Sequence, residues 1–321
     1  MPESKKDNSS LQDLRIVFMG TPEFAVASLR HLYEAGAQIV GVITAPDKPA
    51  GRGMKMKESA VKKYAAEKQL KILQPEKLKN PLFLEELRSL KADLQLVVAF
   101  RMLPEQVWNM PTEGTVNLHA SLLPQYRGAA PINWAIINGE KETGLTTFKL
   151  QQEIDTGNIL LQEKLTIGDN ETAGELHDRM KIAGAKLLLL TAEQIAEGKI
   201  VERPQQPPLH SPIRNAPKIF TDTCKIHWDQ PVDFVHNLVR GLSPFPGAFT
   251  QFEGKMLKIF IAHKEHDTPS EPNTSPVGIF ESDHKSTLKF RCDDGWLVCD
   301  EVQLEGKRRM ETGDFLRGYR S

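Results

Sequence analysis

The sequence has little cysteine, no long apolar run and almost no net charge. Its three cysteines, Cys224, Cys292 and Cys299, all lie late in the chain and form no Cys-x-x-Cys pair. That excludes a disulfide framework and a thiolate metal site, and it suits reduced thiols. The longest apolar runs, Leu94 to Phe100 and Leu187 to Leu190, fall far short of the roughly 20 residues a bilayer-spanning helix needs. The polar start, Met1 to Ser10, lacks the apolar core of a secretory signal. We expect a cytoplasmic protein with no membrane partner. Lysine and arginine total 41 against 42 acidic residues. No global field therefore draws nucleic acid, and any RNA contact has to use local patches. Only one glycine, Gly20, stands in the first strand-to-helix turn, so the G-x-G-x-x-G fingerprint is missing and a dinucleotide is not inferred. No G-x-S-x-G elbow surrounds Ser121, which argues against a serine nucleophile. No heptad or exposed apolar stripe is evident, and we expect a monomer.

A chain of 321 residues is better accounted for by two domains than by one. Arg15 to Met19 is a continuous apolar run ending at Gly20, which reads as a buried parallel strand. Thr21-Pro22 opens a helix whose apolar face is Phe24, Ala27, Leu29 and Leu32, and Gly36 closes it. A second strand follows at Gln38 to Thr44. This β-α-β start predicts a doubly wound, Rossmann-like parallel sheet, with Leu94 to Phe100 central. Thr172 to Ile195 reads as one long helix with a capping box at Thr172 and Glu175. Its buried stripe is expected to be Leu176, Met180, Ala183, Leu187 and Leu190, with His177 at the boundary. Pro204, Pro207, Pro208, Pro212 and Pro217 mark a semi-rigid linker. Beyond them, short strands with turn signals between them predict a small antiparallel β-barrel, OB-like in pattern. We divide the chain into a disordered tail (1–13), a catalytic domain (14–203), a linker (204–217) and the barrel (218–321).

One stretch, Asn117 to Gly128, organises the rest. Val116, Leu118 and Ala120 alternate with Asn117, His119 and Ser121. At strand period two, Asn117 and His119 share a face, roughly 7 Å apart. Leu-Leu-Pro then stops the strand, because proline lacks an N–H and fixes φ. An amide donor and an imidazole so placed suit a carbonyl that becomes an oxyanion. The plainer alternative is two polar residues on a solvated strand face. Downstream, Asp155-Thr156-Gly157 follows another strand-like run. A carboxylate near His119 favours the cationic imidazole, and Asp155 is the candidate. Trp134, in the helix Ile132 to Asn138, reads as core.

A second stretch, Pro46 to Lys57, is rich in proline and glycine and carries Lys48, Arg52, Lys55 and Lys57. Gly51-Arg52-Gly53 predicts a loop with an exposed guanidinium. It is either a solvated basic loop or a site for phosphates.

From Asn117 to Gly144 the chain reads N-x-H-x-S-L-L-P-x-Y-R-G-x-x-P-x-x-W-x-I-x-x-G-x-x-x-T-G. With Asp155-Thr156-Gly157 and Gly20-Thr21-Pro22-Glu23-Phe24, this resembles the 10-formyltetrahydrofolate-dependent formyltransferases, in particular the members acting on initiator methionyl-tRNA. The resemblance runs to the last residues. It implies a Rossmann-like sheet that binds folate, with 10-formyltetrahydrofolate as co-substrate and no metal. It implies a catalytic trio of Asn117, His119 and Asp155, and a folate pocket lined by Ser121, Leu122, Leu123 and Pro124. It implies that Arg52, Lys55 and Lys57 contact tRNA, with the barrel as a second tRNA-holding domain. Two places depart from the family. Glu58-Ser59-Ala60 stands where a Ser-Pro pair is common, and Arg101-Met102-Leu103-Pro104 where a Tyr-Gly pair is common near the pterin. Rival readings are a formyltransferase for a small amine (an amino sugar or glycinamide ribonucleotide), a formyltetrahydrofolate hydrolase and an inert RNA-binding protein.

Overall fold

The structure, a computed structural model, describes residues 10–50, 55–206, 212–268 and 275–319. The chain forms two compact units: one of residues 1–127, 144–165 and 178–214, the other of 128–143, 166–177 and 215–321. Residues 128–143 and 166–177, which the sequence reading places in the catalytic domain, thus belong to the second unit. Most of the expected tail, residues 1–9, lies outside the described residues, as do 207–211 of the linker.

In the first unit, chain order runs β1 (Arg15–Gly20), α1 (Glu23–Glu34), β2 (Gln38–Ile43), β3 (Lys48–Ala50), β4 (Lys55–Lys57), α2 (Ala60–Glu67), β5 (Ile72–Leu73), α3 (Pro81–Ser89), β6 (Leu94–Val98), α4 (Glu105–Trp108), β7 (Thr115–His119) and β8 (Arg127–Gly128). After α5 (Pro131–Ile137) come β9 (Glu142–Lys149), β10 (Ile159–Thr166) and α6 (Ala173–Ala196). Seven strands form one sheet in the order β10-β9-β7-β6-β1-β2-β5. β1 pairs in parallel with β2 and β6, and β6 with β7, whereas β9 is antiparallel to β7. The expected Rossmann-like sheet is therefore present, with β6 at its centre. Ile16, Val17, Phe18 and Met19 are all fully buried, as a strand covered on both faces requires. Helix α1 starts one residue later than expected. Pro22 is its cap and no side chain closes the cap, because proline has no side-chain oxygen to accept a first-turn N–H.

Helix α6 has the expected capping box: Thr172 N–H donates to Glu175 Oε2 at 2.8 Å and Glu175 N–H to Thr172 Oγ1 at 3.3 Å. Its buried ridge differs from the expected stripe. Leu187 is buried as expected, but Leu190 is exposed and Ala183 half-buried, while Leu176, Met180, Leu188 and Ala192 are buried. These four follow strict i+4 spacing through Gly184, the ridge that packs on a sheet or helix. A Cβ at Gly184 would come within 2.9 Å of a Leu118 methyl. The missing side chain lets α6 lie close behind β7 and buttress the strand that carries Asn117 and His119.

The second unit contains α5, then β11 (Asn215–Ala216), α7 (Val232–Gly241), β12 (Ala248–Phe252), β13 (Lys255–His266), β14 (Phe280–Ser282), β15 (Leu288–Arg291), β16 (Gly295–Leu304), β17 (Met310–Glu311) and α8 (Thr312–Gly318). Its sheet is antiparallel throughout, ordered β12-β13-β16-β15-β14 with β17 on β16. The sheet curls into a half-barrel, helped by register shifts in β13 between Ile259 and Ala262, since bulges bend a strand. Its core joins Val235, Val239 and Leu242 to Leu257, Ile259, Phe290 and Val302, and includes Ile137 from α5. Trp134 packs on that core as expected, and its Nε1–H donates to Pro217 O at 2.7 Å. All three cysteines are free and buried, and burial pushes the Cys292 thiol up to about 12.

Candidate active site

The site is built at the end of β7, where the sheet stops supplying partners. Asn117 pairs with Val97 of β6 and Phe148 of β9, two residues before His119. It is half-buried, and period two places it on His119's side of the strand. His119 is buried, and its Nε2 lies 2.8 Å from Tyr126 O. A carbonyl only accepts, so Nε2 carries the proton and the other nitrogen, Nδ1, faces the remaining partner. That partner is Asp155, whose Oδ2 is 3.9 Å from Nδ1. The structure thus brings His119 and Asp155 together.

Asp155 sits in the loop between β9 and β10 with φ +54°, a left-handed conformation that costs an ordinary residue roughly 1–2 kcal/mol. The loop is pinned at Gly157, where an added Cβ would come within 1.6 Å of Lys149 O. Tyr126 is also left-handed, with φ +59°. Its N–H donates to Arg214 O at 2.6 Å, which fixes the peptide on the N-terminal side of the turn. Both turns hold strained backbone, a feature that clusters where a site demands one geometry.

The segment Ser121 to Pro124 is locked from inside. Ser121 is fully buried and its hydroxyl donates to Gln125 O at 2.6 Å. Thr146 Oγ1 donates to Ser121 O at 2.7 Å and accepts Leu123 N–H at 3.2 Å. Gln162 Nε2 donates to Leu123 O at 3.0 Å. Leu123 is buried as well, so Leu122 and Pro124, both half-buried, are the side chains of this run with surface to offer a ligand.

Around the basic hairpin, Arg52 lies outside the described residues, and so does the side chain of Lys55; Lys57 ends β4 and is exposed. β3 and β4 pair in antiparallel register. The hairpin base is tied down: Lys62 bonds Asp47 and also reaches Glu58 at 2.9 Å, while Gln74 Nε2 donates to Asp47 Oδ1 at 2.8 Å. The Lys62 ammonium and then the Gln74 amide hold the Asp47 carboxyl below the usual carboxylate range. In the departing loop, Arg101 donates to the carbonyls of Pro75 and Glu76. Among the described residues, no cluster of histidine, cysteine and carboxylates could hold a metal. No helix there is long and apolar enough to cross a membrane.

Sequence reasoning missed three groups at this site: the Tyr126 carbonyl, Thr146 and Gln205. Gln205 Oε1 accepts both Arg127 Nε (3.1 Å) and Nη2 (2.6 Å), and its Nε2 donates to Asp155 O (2.8 Å) and Gly157 O (2.9 Å). Tyr126 and Arg127 were visible inside the motif, but nothing in a sequence reports a carbonyl's direction.

The site is thus a buried imidazole at the end of β7 facing a carboxylate, with a half-barrel following in the chain. The formyl transferase model matches residues 14–192 and the formyl transferase C-terminal domain model matches 218–320. The chain belongs to the formyl transferase family. The methionyl-tRNA formyltransferase of Parabacteroides distasonis is 55% identical over 317 residues, 96% of this chain and 97% of that protein. That of Bacteroides thetaiotaomicron is 51% identical over 315 residues, with 96% and 97% covered. Among solved structures, the N-formyltransferase from Helicobacter canadensis, in complex with folinic acid and dTDP-3-aminofucose, aligns with a TM-score of 0.67 at 20% identity. It covers 91% of this chain and 99% of that one, a likeness of fold.

Proposed function

We propose that this chain transfers the formyl group of 10-formyltetrahydrofolate to the α-amino group of initiator methionyl-tRNA, for translation initiation. The observation that carries this reading is the end-to-end similarity to methionyl-tRNA formyltransferases, above half identical in the first and covering both domains. The chain acts as a soluble monomer, with a proline-rich linker near residues 204–217 between the catalytic and tRNA-holding parts.

The neutral amine attacks the formyl carbon and the carbonyl oxygen becomes an oxyanion. Asn117 donates a neutral hydrogen bond to it. His119 uses Nε2 on Tyr126 O, so Nδ1 is the nitrogen left for chemistry. At 3.9 Å the Asp155 carboxylate lies beside Nδ1 without closing a hydrogen bond on it, so a proton on Nδ1 is not held by the carboxylate. That proton is then available to the developing oxyanion. The amine's own proton passes, through a water ordered by Asp155, to the folate nitrogen as the C–N bond breaks. Leu122 and Pro124 line the folate pocket; Ser121 and Leu123 shape it from within. Arg52, Lys55 and Lys57 neutralise tRNA phosphates.

The test is a discharge assay with 10-formyltetrahydrofolate and methionine-charged initiator tRNA, following the folate product by absorbance. Glycinamide ribonucleotide, an amino sugar and buffer alone serve as rival acceptors. Turnover confined to charged tRNA supports the proposal. Turnover with a small amine or with water replaces the acceptor, and no turnover at all removes the reaction.

A further inference from the structure

We infer that Gln205 is a positioning residue that sets the separation between His119 and Asp155; this rests on the reading of those two residues as catalytic. The primary amide of Gln205 has two donors and one acceptor oxygen, and all of them are used. The oxygen takes the Arg127 fork and the nitrogen holds the carbonyls of Asp155 and Gly157. Arg127 directly follows Tyr126, whose carbonyl fixes His119 Nε2 at 2.8 Å. Asp155 faces the other ring nitrogen. One amide therefore ties the turn that holds one side of the imidazole to the turn that holds the other.

The neighbours of Gln205 repeat this arrangement. Arg203 and Ile159 exchange backbone hydrogen bonds at 2.7 and 2.9 Å. Glu202 accepts Asn158 Nδ2 at 3.0 Å and pairs with Lys149 at 2.8 Å. The Lys149 ammonium and then the Asn158 amide hold the Glu202 carboxyl below the usual range. Residues 202–205 thus form a strap laid along residues 155–159. Within 201–206, Gln205 is half-buried while its neighbours are exposed, as expected if it alone points inward. The strap also has a strained turn to hold, since Asp155 keeps a positive φ and would relax without its carbonyl fixed.

Gln205→Glu keeps the acceptor for Arg127 and replaces the donor, so it separates the two halves of the clamp without shortening the side chain. A misplacement of order 1 Å costs up to roughly 10²-fold in rate. We expect Gln205→Glu and Gln205→Ala to lower kcat by about 10- to 100-fold, with KM for folate and for charged tRNA changed less than about threefold. In an Asp155→Asn background, Gln205→Ala should cost less than about twofold more, because the carboxylate it places is already gone. Equal losses in both backgrounds, or a loss confined to KM, overturn the inference. Hydrogen exchange supplies a readout that does not depend on substrate. Amides of residues 156–159 should exchange about tenfold faster in Gln205→Glu. Unchanged exchange overturns the strap itself, whereas faster exchange in a chain that does not formylate charged tRNA points to a failure of the acceptor assignment alone.

Discussion

Nδ1 of His119 stands 3.9 Å from Oδ2 of Asp155, and both side chains are nearly shut off from water. The two groups face each other across a gap too wide for a direct hydrogen bond, in a setting that water scarcely enters. Asn117→Ala, His119→Ala and Asp155→Ala are each expected to lower kcat by on the order of 10²-fold or more. Thermal melts should show them folded. A variant with native kcat drops out of the trio.

Gly157 is required for its lack of a side chain. Its φ is ordinary, but a Cβ would land 1.6 Å from Lys149 O, a backbone atom that cannot rotate away. Gly157→Ala should destabilise the chain by at least about 2 kcal/mol and, by shifting Asp155, reduce kcat more than KM. Urea unfolding and steady-state kinetics together check this. An unchanged midpoint would show that the loop yields freely.

His236 makes the second unit acid-sensitive. Its Nε2 donates to Ala262 O at 3.0 Å, and its Nδ1 is buried without a partner among the described residues. Burial first, then the Lys264 and Arg240 charges, push it down to about 4. Between pH 6.5 and 4 the unfolded chain takes up a proton that the folded chain refuses. Stability therefore falls as pH drops through that window, by on the order of 3 kcal/mol when complete. His236→Gln, which cannot titrate, should flatten that part of a plot of unfolding midpoint against pH. An unaltered slope would assign the acid sensitivity elsewhere.

The basic hairpin should act through charge. Replacing Arg52, Lys55 or Lys57 by alanine should weaken tRNA binding across salt concentrations. The log–log salt dependence should flatten by roughly 0.7–0.9 for each phosphate that is no longer neutralised. KM for 10-formyltetrahydrofolate should not move. Filter binding at several salt concentrations tests this, and an unchanged slope removes the residue from the RNA footprint.

The sheet was legible because apolar runs such as Arg15 to Met19 and Leu94 to Val98 have few other solutions. The convergence of His119 with Asp155 was legible through the family resemblance, which implies the trio, and not from spacing, since Asp155 lies in the loop between β9 and β10. Which imidazole nitrogen faces Asp155 was not legible, because the Tyr126 carbonyl takes the other and backbone direction depends on a left-handed turn. Gln205 was hidden for a different reason. It lies in a proline-rich run whose composition signals a linker, and only tertiary contact reveals that its side chain points inward. The α6 stripe was misread at Leu190 because Leu187 to Leu190 are all leucines. Hydrophobicity alone could not tell which of the four face the sheet.

The core of the second unit draws Ile137 and Trp134 from α5, and Gly241 leaves room for that helix, since a Cβ there would come within 2.6 Å of Ile137. Chimeras joined at the linker therefore carry a hidden mismatch. An incoming half-barrel brings its own sheet but inherits the resident's Trp134 and Ile137 from upstream of the junction. Swapping half-barrels between relatives requires those upstream positions to travel with the module, so the unit that can be exchanged is discontinuous in the gene.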